Sequence, residues 1–415
     1  MDIELHENLD LVSIVKENDV KIFNKNVDVY DIIDSFLEKN VSDEAFYIID
    51  LGKVITQYNK WVEKMPLVKP YYAIKCNPNP VIIKVLSSLG CNFDCASKNE
   101  ISVVKQITGD ASRIIFANPC KISNQIKYAR ANDIDLMTFD CEQELYKIKL
   151  YHPYANLVLR IAVDDSGSLC KFNKKFGCSM NDVENILRLC KTMNLNVMGV
   201  SFHVGSGCTS VNNYKTAIEM SKNVFDKANE LGIKMTLLDI GGGFPGYDEA
   251  KISFDDIALT INNSLDEYFG DLINNDESDF KIIAEPGRYM VANSHILVLN
   301  VIGKKVYIDK DTGNKQFIYY LNDGVYGNFN CIYFDHAKPI IQAYNERDGE
   351  HYDSTLFGPT CDSLDTIAEN VQLPELAIGE WIFVEHFGAY TAAAASTFNG
   401  FQKTNSSYIL RTNKD

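Results

Sequence analysis

Residues 197–243 read VMGVSFHVGSGCTSVNNYKTAIEMSKNVFDKANELGIKMTLLDIGGG, and this stretch decides the fold. It begins with a short apolar run, Val197–Phe202, and passes through polar and glycine residues into a segment with helical apolar spacing, Asn213–Leu231. A second apolar run, Met235–Ile240, follows. Short apolar runs on either side of a helix predict two parallel strands joined by a crossover helix. The stretch is therefore predicted to be one β-α-β unit.

The same alternation extends in both directions, over about residues 70–290. Helical segments such as Asp182–Met193 and Phe254–Phe269 separate the apolar runs, and several of these segments begin with a capping residue. Eight such repeats predict a TIM-like (β/α)8 barrel. The predicted strands are Tyr71–Lys75, Asn92–Cys95, Arg113–Ala117, Ile134–Phe139, Asn156–Ala162, Val197–Phe202, Met235–Ile240 and Lys281–Ala284.

The pattern changes after residue 294, where strand-like runs are separated by turns. These runs are Ile296–Lys304, Gln316–Leu321, Cys331–Phe334 and Trp381–Val384. They predict a second, mainly β domain of sandwich-like type. The first 44 residues do not follow the barrel rhythm, and we assign them to this second domain. The predicted division is a barrel at 45–294 and a β domain made of 1–44 and 295–415.

Composition narrows the possible functions. The chain has 415 residues, 46% of them hydrophobic, which is enough for two cores. Forty basic and 56 acidic residues give a net charge of −16, which argues against nucleic acid or an anionic membrane as a partner. No segment approaches the roughly 18 apolar residues of a membrane helix. Eleven cysteines without paired spacing favour a reducing compartment, so we expect a cytoplasmic protein without a metal site.

Polar residues and glycines follow the predicted barrel strands directly. In a parallel barrel all strands end at the same rim, and active sites of such barrels are built there. Packing of an apolar core does not require polar residues or glycines at these positions, so their presence predicts a functional site. The residues are Lys75, Asp94, Asn118, Arg160, His203, Gly241–Gly243 and Glu285.

Three of these features predict the cofactor pyridoxal 5'-phosphate (PLP). Lys75 follows an apolar strand into the barrel mouth, where an amine shielded from water is a Schiff-base nucleophile, although a rim lysine in solvent is the alternative. Glu285 offers a carboxylate that could pair with a pyridinium nitrogen. Gly241–Gly243 and Arg288 follow the seventh and eighth strands, where barrels bind phosphate. A tight turn explains one glycine well but three poorly.

Two further residues lie in the stretch Ser201–Cys208 after the sixth strand. His203 offers an imidazole that could stack on a ring, and Ser206 offers a hydroxyl beside glycines for a phosphate. A lone histidine is more often structural, so this stretch alone does not decide the chemistry.

Ten motifs, in order over residues 47–401, resemble those of eukaryotic-type ornithine decarboxylases. They are YAIKCN, FDCAS, FANPCK, SFHVGSG, DIGGGFPG, AEPGRYMV, NDGVYGNFN, FGPTCDS, FGAYT and FNGF. The resemblance implies the fold shared with alanine racemase, which is a PLP barrel plus a β domain. It also implies decarboxylation of L-ornithine to putrescine and carbon dioxide, the first step of polyamine biosynthesis.

The resemblance assigns roles to the barrel residues. Lys75 would hold PLP covalently, Glu285 would bind its pyridine nitrogen and His203 would stack on its ring. Residues of the second tier would orient Lys75 or surround the cofactor; they are Asp94, Glu100 and Arg160. The phosphate would be held by residues of four motifs, with Pro286 in the same cofactor site: Ser206, Gly243, Gly287, Arg288 and Tyr390.

The resemblance also assigns roles to the predicted β domain. Cys361 would return a proton to the substrate Cα, on a loop that in the family reaches across a two-fold interface, which implies a homodimer with shared active sites. Asp335 and Asp362 would flank the distal amine of the substrate. This sequence has Phe334 where many members have Tyr, which puts fine specificity in doubt. Phe398 and Asn399 match a loop near the pocket.

Several alternatives stay open. Decarboxylases of lysine, arginine or diaminopimelate share this fold, although the diaminopimelate enzymes typically carry Glu where this chain has Asp362. An alanine racemase would need a catalytic Tyr and no diamine pocket. A non-catalytic relative of the antizyme-inhibitor kind would work by binding a regulatory protein. The segment Lys121–Lys149 mixes both charges and does not by itself predict antizyme binding.

Overall fold

A computed structural model describes residues 9–38, 42–165, 168–170, 172–247, 252–308, 310, 313–345 and 350–412. The chain forms two compact units. One consists of residues 55–290, and the other combines the described residues up to 54 with those from 291 onward. We call them the barrel unit and the β unit.

The strands are numbered in chain order: β1 Lys21–Asn24, β2 Phe46–Asp50, β3 Val68–Ala73, β4 Asn92–Cys95, β5 Ile114–Phe116, β6 Leu136–Phe139, β7 Asn156–Arg160, β8 Ser168–Cys170, β9 Asn196–Ser201, β10 Ser206–Cys208, β11 Leu237–Asp239, β12 Lys281–Ala284, β13 His295–Ile308, β14 Lys315–Leu321, β15 Ile341–Ala343, β16 His351–Phe357, β17 Thr366–Pro374, β18 Trp381–Val384 and β19 Asn405–Thr412.

The helices are α1 Leu9–Glu17, α2 Val29–Leu37, α3 Leu51–Lys64, α4 Pro80–Ser88, α5 Lys98–Thr108, α6 Ser123–Ala131, α7 Glu142–Tyr151, α8 Val183–Thr192, α9 Val211–Glu230, α10 Phe254–Ile273, α11 Arg288–Val291 and α12 Cys331–Phe334. None of the helices in the described ranges is both long enough and apolar enough to cross a membrane.

The barrel unit contains the predicted eight-stranded parallel barrel. Its strands close in the order β3-β4-β5-β6-β7-β9-β11-β12, with β12 pairing back to β3, and every neighbouring pair is parallel. The barrel prediction is therefore confirmed, and the strand ends lie within three residues of those predicted. Two short strands, β8 and β10, form a separate antiparallel ribbon beyond the barrel strands.

The sequence forms these elements for local reasons. Alternate strand side chains point into the barrel, where an apolar cluster fills the interior. Helix α4 begins at Pro80 after Asn79, whose side chain accepts hydrogen bonds from Val81 and Ile82 N–H, and Ser97 caps α5 in the same way. The interior cluster comprises Tyr71, Ile115, Ala117, Val158, Leu237 and Ile283.

The β unit is a nine-stranded sheet in which most pairs are antiparallel. Its main path is β1-β19-β2-β13-β14-β16-β17, and β18 pairs with both β13 and β15. Strand β13 joins the two halves, because its first residues pair with β2 and β18 and its last residues with β14. Helix α2 packs Ile32 and Ile33 against Phe46, Ile48 and Phe383 of the sheet.

One predicted strand of the β unit is wrong. Cys331–Phe334 is a helical turn, α12, which continues from a 3-10 turn at Asn328–Asn330. Asp335 N–H donates to the carbonyl of Cys331 and completes the turn. Four apolar residues are too few for their spacing to distinguish a strand from a helical turn, which explains the error.

Candidate active site

Lys75 lies directly beyond the first barrel strand, in a single 3-10 turn at Ile74–Cys76. Its amine forms an ion pair with the carboxylate of Asp94, which lies in the neighbouring strand β4. The Lys75 side chain is 42% exposed, whereas that of Asp94 is 1% exposed. The amine is less shielded than the sequence predicted, because it projects past the end of the strand. The amine is thus accessible to a ligand, while its ion pair with the buried Asp94 carboxylate holds it in place.

Glu285 follows strand β12 and is buried. Its N–H donates to the carbonyl of Gly241 at 2.7 Å, which ties it to the loop after β11. Burial raises the pKa of Glu285 well above its ordinary value, and the carboxylates of Asp239 and Asp94 raise it further. Arg160 lies at the end of β7 and opposes this shift, and burial lowers the pKa of Arg160 itself.

His203 follows strand β9, and its ring is held as a neutral imidazole. Its Nδ1 accepts the N–H of Gly205 at 2.9 Å, which leaves the proton on Nε2. Burial lowers the pKa of His203 well below its ordinary value, and the cations Arg160 and Lys75 add to the effect. The ring of Phe172 meets the imidazole edge-on, with centroids 4.9 Å apart. This contact restricts the plane of the imidazole.

The three glycines after β11 are explained by packing. Gly241 and Gly243 have φ of 63° and 112°, and a Cβ on Gly241 would lie 2.0 Å from the carbonyl oxygen of Phe202. A Cβ on Gly242 would lie 2.8 Å from Nε2 of His203. Close approach of the two loops therefore requires all three glycines, and their number is no independent argument for phosphate. A role of Gly243 in phosphate binding stays a prediction.

Arg288 supplies the cation expected for an anion at this rim. Its Nη2 donates to the hydroxyl of Ser206 at 3.3 Å, so residues after β12 and in β10 meet. The carbonyl of Pro286 accepts the N–H of Ala73 at 3.1 Å, which joins the Glu285–Arg288 segment to the turn that carries Lys75. The structure thus brings the predicted cofactor residues of the barrel unit onto one rim.

Glu100 has a structural task that the sequence did not predict. Its carboxylate accepts the N–H of Ala96, and its own N–H donates to the hydroxyl of Ser97. This reciprocal arrangement caps helix α5. Burial raises the pKa of Glu100 and Asp94 adds to this shift, whereas the Ala96 N–H and the Lys75 cation oppose it. Its family role beside the cofactor stays a prediction, and helix capping explains its presence.

The Cys361 loop, residues 358–365, joins β16 to β17 in the β unit. Asp365, which is 1% exposed, holds the loop by accepting the N–H groups of Val325 at 2.8 Å and Thr360 at 3.0 Å. Cys361 is exposed, and its N–H donates to the side chain of Asn399 at 3.0 Å. The thiol therefore sits at the surface of this unit on a loop with a defined backbone.

Asp362 is kept ionised by two donors. Leu364 N–H donates to its Oδ1 at 3.0 Å, and the hydroxyl of Tyr326 donates to its Oδ2. These bonds lower the pKa of Asp362, with the Leu364 N–H as the larger cause. The ring of Tyr326 also stacks on Phe398, with centroids 4.3 Å apart. Tyr326 thus connects the Asp362 loop with the Phe398–Asn399 loop.

The remaining predicted residues of the β unit lie on neighbouring segments. Phe334 is 71% exposed, while Asp335 beside it is buried at 9%. Their turn contacts the Cys361 loop through the hydroxyl of Tyr333, which donates to the carbonyl of Leu364 at 3.2 Å. Tyr390 has a backbone φ of 57°, which residues other than glycine rarely adopt. Such conformations are common at functional sites.

The sequence analysis missed several residues that shape these two clusters. In the barrel unit they are Asp239, which contacts Glu285, and Phe172, which contacts His203. In the β unit they are Tyr326 and Asp365. A signal existed only for Asp239, which ends a barrel strand like the other rim residues. No described group of three or more His, Cys, Asp or Glu side chains is arranged to hold a metal ion.

The rim of the barrel unit fits PLP. Lys75 offers an amine to an aldehyde, Glu285 offers a carboxylate to a ring nitrogen, and Arg288 with Ser206 offers donors to a phosphate. Two buried oxygens of this rim, Asp94 Oδ1 and Glu285 Oε1, have no hydrogen-bond partner among the described residues. Such acceptors suit a ligand that donates hydrogen bonds. Fold and site together define a PLP enzyme of the barrel class.

Comparison with known proteins identifies the family. The family model "pyridoxal-dependent decarboxylase, pyridoxal binding domain" matches residues 51–292, so the chain belongs to the pyridoxal-dependent decarboxylases, whose cofactor is PLP. The chain is 46% identical to "Ornithine decarboxylase" of Mus musculus, over 95% of this chain and 87% of that protein.

Two further relatives widen the comparison. "Antizyme inhibitor 2" of Xenopus laevis is also 46% identical, over 95% of this chain and 88% of that protein. Among solved structures, the arginine decarboxylase of Paramecium bursaria Chlorella virus bound to agmatine superimposes with a TM-score of 0.86 at 35% identity. That match covers 92% of this chain and 100% of the viral one. Fold and family are therefore confirmed, as the sequence motifs implied.

Proposed function

We propose that this chain decarboxylates L-ornithine to putrescine and carbon dioxide. The observation that carries the substrate assignment is the Asp362 carboxylate, which two hydrogen bonds hold in its ionised form on the loop of the exposed Cys361 thiol. A carboxylate held in this state binds an alkylammonium group through charge-assisted hydrogen bonds. The similarity to ornithine decarboxylases over 95% of the chain supports the same assignment.

Lys75 would hold the cofactor, Glu285 would face its ring nitrogen, and Arg288 with Ser206 would bind its phosphate. When bound, PLP supplies an electron sink for the pair of electrons that the departing carboxylate leaves behind. Asp94 orients the Lys75 amine through their ion pair until a ligand displaces it. His203, neutral and braced by Phe172, offers a flat surface on which an aromatic ring can stack.

Cys361 would deliver a proton to the substrate Cα once carbon dioxide has left. The bond between sulfur and hydrogen breaks, a carbon–hydrogen bond forms, and the thiolate recovers its proton from water. Asp362 and Asp335 would bind the ammonium at the far end of the substrate. Phe334 lies beside Asp335 and can pack against the substrate chain, but it offers no hydroxyl.

We also propose a homodimer in the cytoplasm that feeds polyamine biosynthesis. Exposed aromatic and aliphatic side chains lie in the Cys361 loop and on the segments that contact it: Tyr333, Phe334, Leu364 and Phe398. Their association with a second copy would remove this apolar surface from water and bring Cys361 to a partner's site. The ten described cysteines are free thiols, which suits a reducing compartment.

A second candidate is a non-catalytic role. The antizyme inhibitor relative is as similar in overall identity as the mouse decarboxylase, so identity does not separate the two functions. The residues are a better guide to the function, because this chain has the groups that the reaction needs. They are the Lys75–Asp94 ion pair, Glu285, the Arg288–Ser206 contact and Cys361. This complete set favours an enzyme, and antizyme binding remains unassigned.

The deciding experiment is release of carbon dioxide by the purified PLP-loaded chain from ornithine, lysine, arginine and diaminopimelate in parallel. Preference for ornithine supports the proposal. Preference for another amino acid keeps the chemistry and moves the substrate assignment to Phe334 and its neighbours. No release from any of the four contradicts the proposal and favours the binding role.

Mixing two inactive variants tests the homodimer. Equal amounts of Lys75→Ala and Cys361→Ala chains are mixed and either refolded together or left to exchange subunits, so that they pair at random. If each site combines Lys75 of one chain with Cys361 of the other, about a quarter of wild-type activity returns. No recovery in mixtures that have exchanged subunits contradicts a shared site.

A further inference from the structure

Asp239 is the most deeply buried carboxyl group of the barrel rim, and neither the family motif nor the proposed reaction assigns it a task. It ends strand β11 and is 0% exposed. In the barrel it is in register with Ser201 on one side and with Ile283 on the other, two residues before Glu285. The chain thus places Asp239 behind the residue expected to face the cofactor's ring nitrogen.

The contacts of Asp239 are asymmetric. Its Oδ1 accepts the N–H of Gly241 at 2.9 Å. Its Oδ2 is buried and has no donor among the described residues, and the same is true of Oε1 of Glu285. Gly241 ties the two residues together, because its N–H donates to Asp239 and its carbonyl accepts the N–H of Glu285, and the two carboxyl groups interact with each other. Ionised carboxylates only accept hydrogen bonds, so this contact is favourable only when one of the two groups carries a proton.

The charges around the pair lead to the same conclusion. Asp94, Asp239 and Glu285 would contribute three negative charges to the buried pocket, and Lys75 and Arg160 contribute two positive charges. Two further carboxyl groups, Glu100 and Asp140, interact with the same lysine and arginine from the edge of the pocket. His203 is held neutral, and Tyr71, which also faces Asp239, carries no charge at neutral pH. Carboxyl groups thus outnumber the cations, and one proton on the carboxylates would bring the net charge of the pocket closer to zero. An unbalanced charge is costly in a buried site, so a proton is expected there.

We propose that Asp239 is a positioning residue that shares one proton with Glu285. The shared proton joins the two carboxyl groups, fixes the rotamer of Glu285 and leaves the pair with one negative charge instead of two. This inference rests on the proposed role of Glu285 only for its importance to cofactor binding, because both carboxyl groups are part of the chain and need no cofactor to interact. Burial raises the pKa of both groups, and the Asp239 carboxylate raises that of Glu285 further, in agreement with a retained proton.

Asp239→Asn is the informative variant. Its amide keeps the shape, accepts the Gly241 N–H and donates to Glu285, so it imitates the protonated state permanently. Asp239→Ala removes the contact and leaves Glu285 fully ionised and without its partner. Asp140→Asn is the matched control, because Asp140 lies on the same rim and accepts the Gly177 N–H at 2.9 Å.

The test is the infrared carbonyl band of a protonated carboxyl group in the full chain at pH about 6, where ordinary carboxyl groups are ionised. We expect this band in the wild type and in Asp140→Asn, in the PLP-free chain at least. Asp239→Asn and Glu285→Gln should each lose the same band, because they share one proton. A wild-type chain without the band, or a band that survives in Asp239→Asn, overturns the proposal.

The affinity for PLP provides a second readout if the band overlaps with others. We expect Asp239→Asn to bind PLP within about threefold of the wild type and Asp239→Ala to bind about tenfold or more weakly. Equal binding by both variants overturns the positioning role. Neither measurement involves turnover, so failure of the decarboxylase proposal would show only in carbon dioxide release and would leave these results distinct.

Discussion

The barrel rim and the Cys361 loop bring their functional groups together in opposite ways. On the rim, Asp94, Asp239 and Glu285 are at most 8% exposed, and burial dominates the pKa shifts of Asp239 and Glu285. In the β unit, Cys361 is exposed, and Asp362 owes its lowered pKa to two hydrogen bonds instead of burial. The rim is an enclosed charge network, whereas the loop is an ordered surface.

This difference has a physical consequence. Groups in an enclosed network depend on each other, because each charge there is balanced by its neighbours. Groups on an ordered surface are held singly by backbone and side-chain donors and respond to substitution one at a time. We therefore expect substitutions on the rim to affect cofactor retention and those on the loop to affect turnover or substrate affinity.

The largest effect should follow Lys75→Ala. Without the amine, PLP has no covalent attachment, and turnover should fall by about a thousandfold or more. Borohydride reduction followed by mass analysis would show loss of PLP labelling. Lys69→Ala, on an exposed position of the same strand, is the control and should keep label and activity. A Lys75→Ala chain that keeps the PLP label and the activity would contradict the assignment of the barrel rim as the cofactor site.

Cys361→Ala should come next. Loss of a general acid should lower kcat about a hundredfold to ten-thousandfold, while PLP absorbance and ornithine affinity stay close to those of the wild type. Cys120→Ser, another exposed thiol, should remain fully active. A variant that loses PLP instead would contradict the separation between rim and loop.

Asp362→Asn should affect substrate binding. Without its negative charge the side chain binds the substrate ammonium more weakly, so KM for ornithine should rise roughly tenfold to a hundredfold with a smaller change in kcat. Asp353→Asn, an exposed carboxylate of strand β16 in the same unit, should leave KM unchanged. An equal fall of kcat and an unchanged KM would assign Asp362 to the chemical step.

His295 gives the β unit a pH dependence that can be compared with that of the rim. Burial lowers its pKa to about 3, below the ordinary value, so on acidification the unfolded chain takes up a proton that the folded chain does not. The contribution of His295 to the free energy of unfolding is therefore complete above about pH 6.5 and decreases as the pH falls. It decreases by about 2 kcal/mol between pH 7 and 5.

The test is urea unfolding of the wild type and of His295→Gln at both pH values. On acidification from pH 7 to 5, the free energy of unfolding of the variant should fall by about 2 kcal/mol less than that of the wild type. This difference does not depend on how stable the variant is at pH 7. An unchanged pH dependence would contradict a neutral buried imidazole. On the rim, the raised pKa values of Asp239 and Glu285 predict the opposite sign, with stability lost as pH rises through them.

The smallest effect should follow Phe334→Tyr. The side chain is 71% exposed, and a new hydroxyl beside Asp335 adds at most one hydrogen bond. We expect KM for ornithine to fall by about twofold to tenfold, with kcat and PLP binding unchanged. A change in preference between ornithine and lysine would show that this position reads substrate length.

The sequence by itself determined the barrel, because eight alternating runs of apolar strand and amphipathic helix leave few other ways to bury their faces. It also indicated the rim residues that follow these strands, because parallel strands end at one face. It failed at Cys331–Phe334, where four residues are too short for their spacing to decide between strand and helix. It explained the three glycines by an anion, whereas close contact of two loops accounts for them.

Only the tertiary structure decided which of these groups meet. The pairing of Asp239 with Glu285, of Phe172 with His203 and of Tyr326 with Asp362 joins residues 31 to 46 positions apart in the sequence. Local spacing carries no information about such contacts, because they depend on how strands and loops are arranged around the barrel or the sheet. Protonation states follow from burial and from these neighbours, and both exist only in the folded chain.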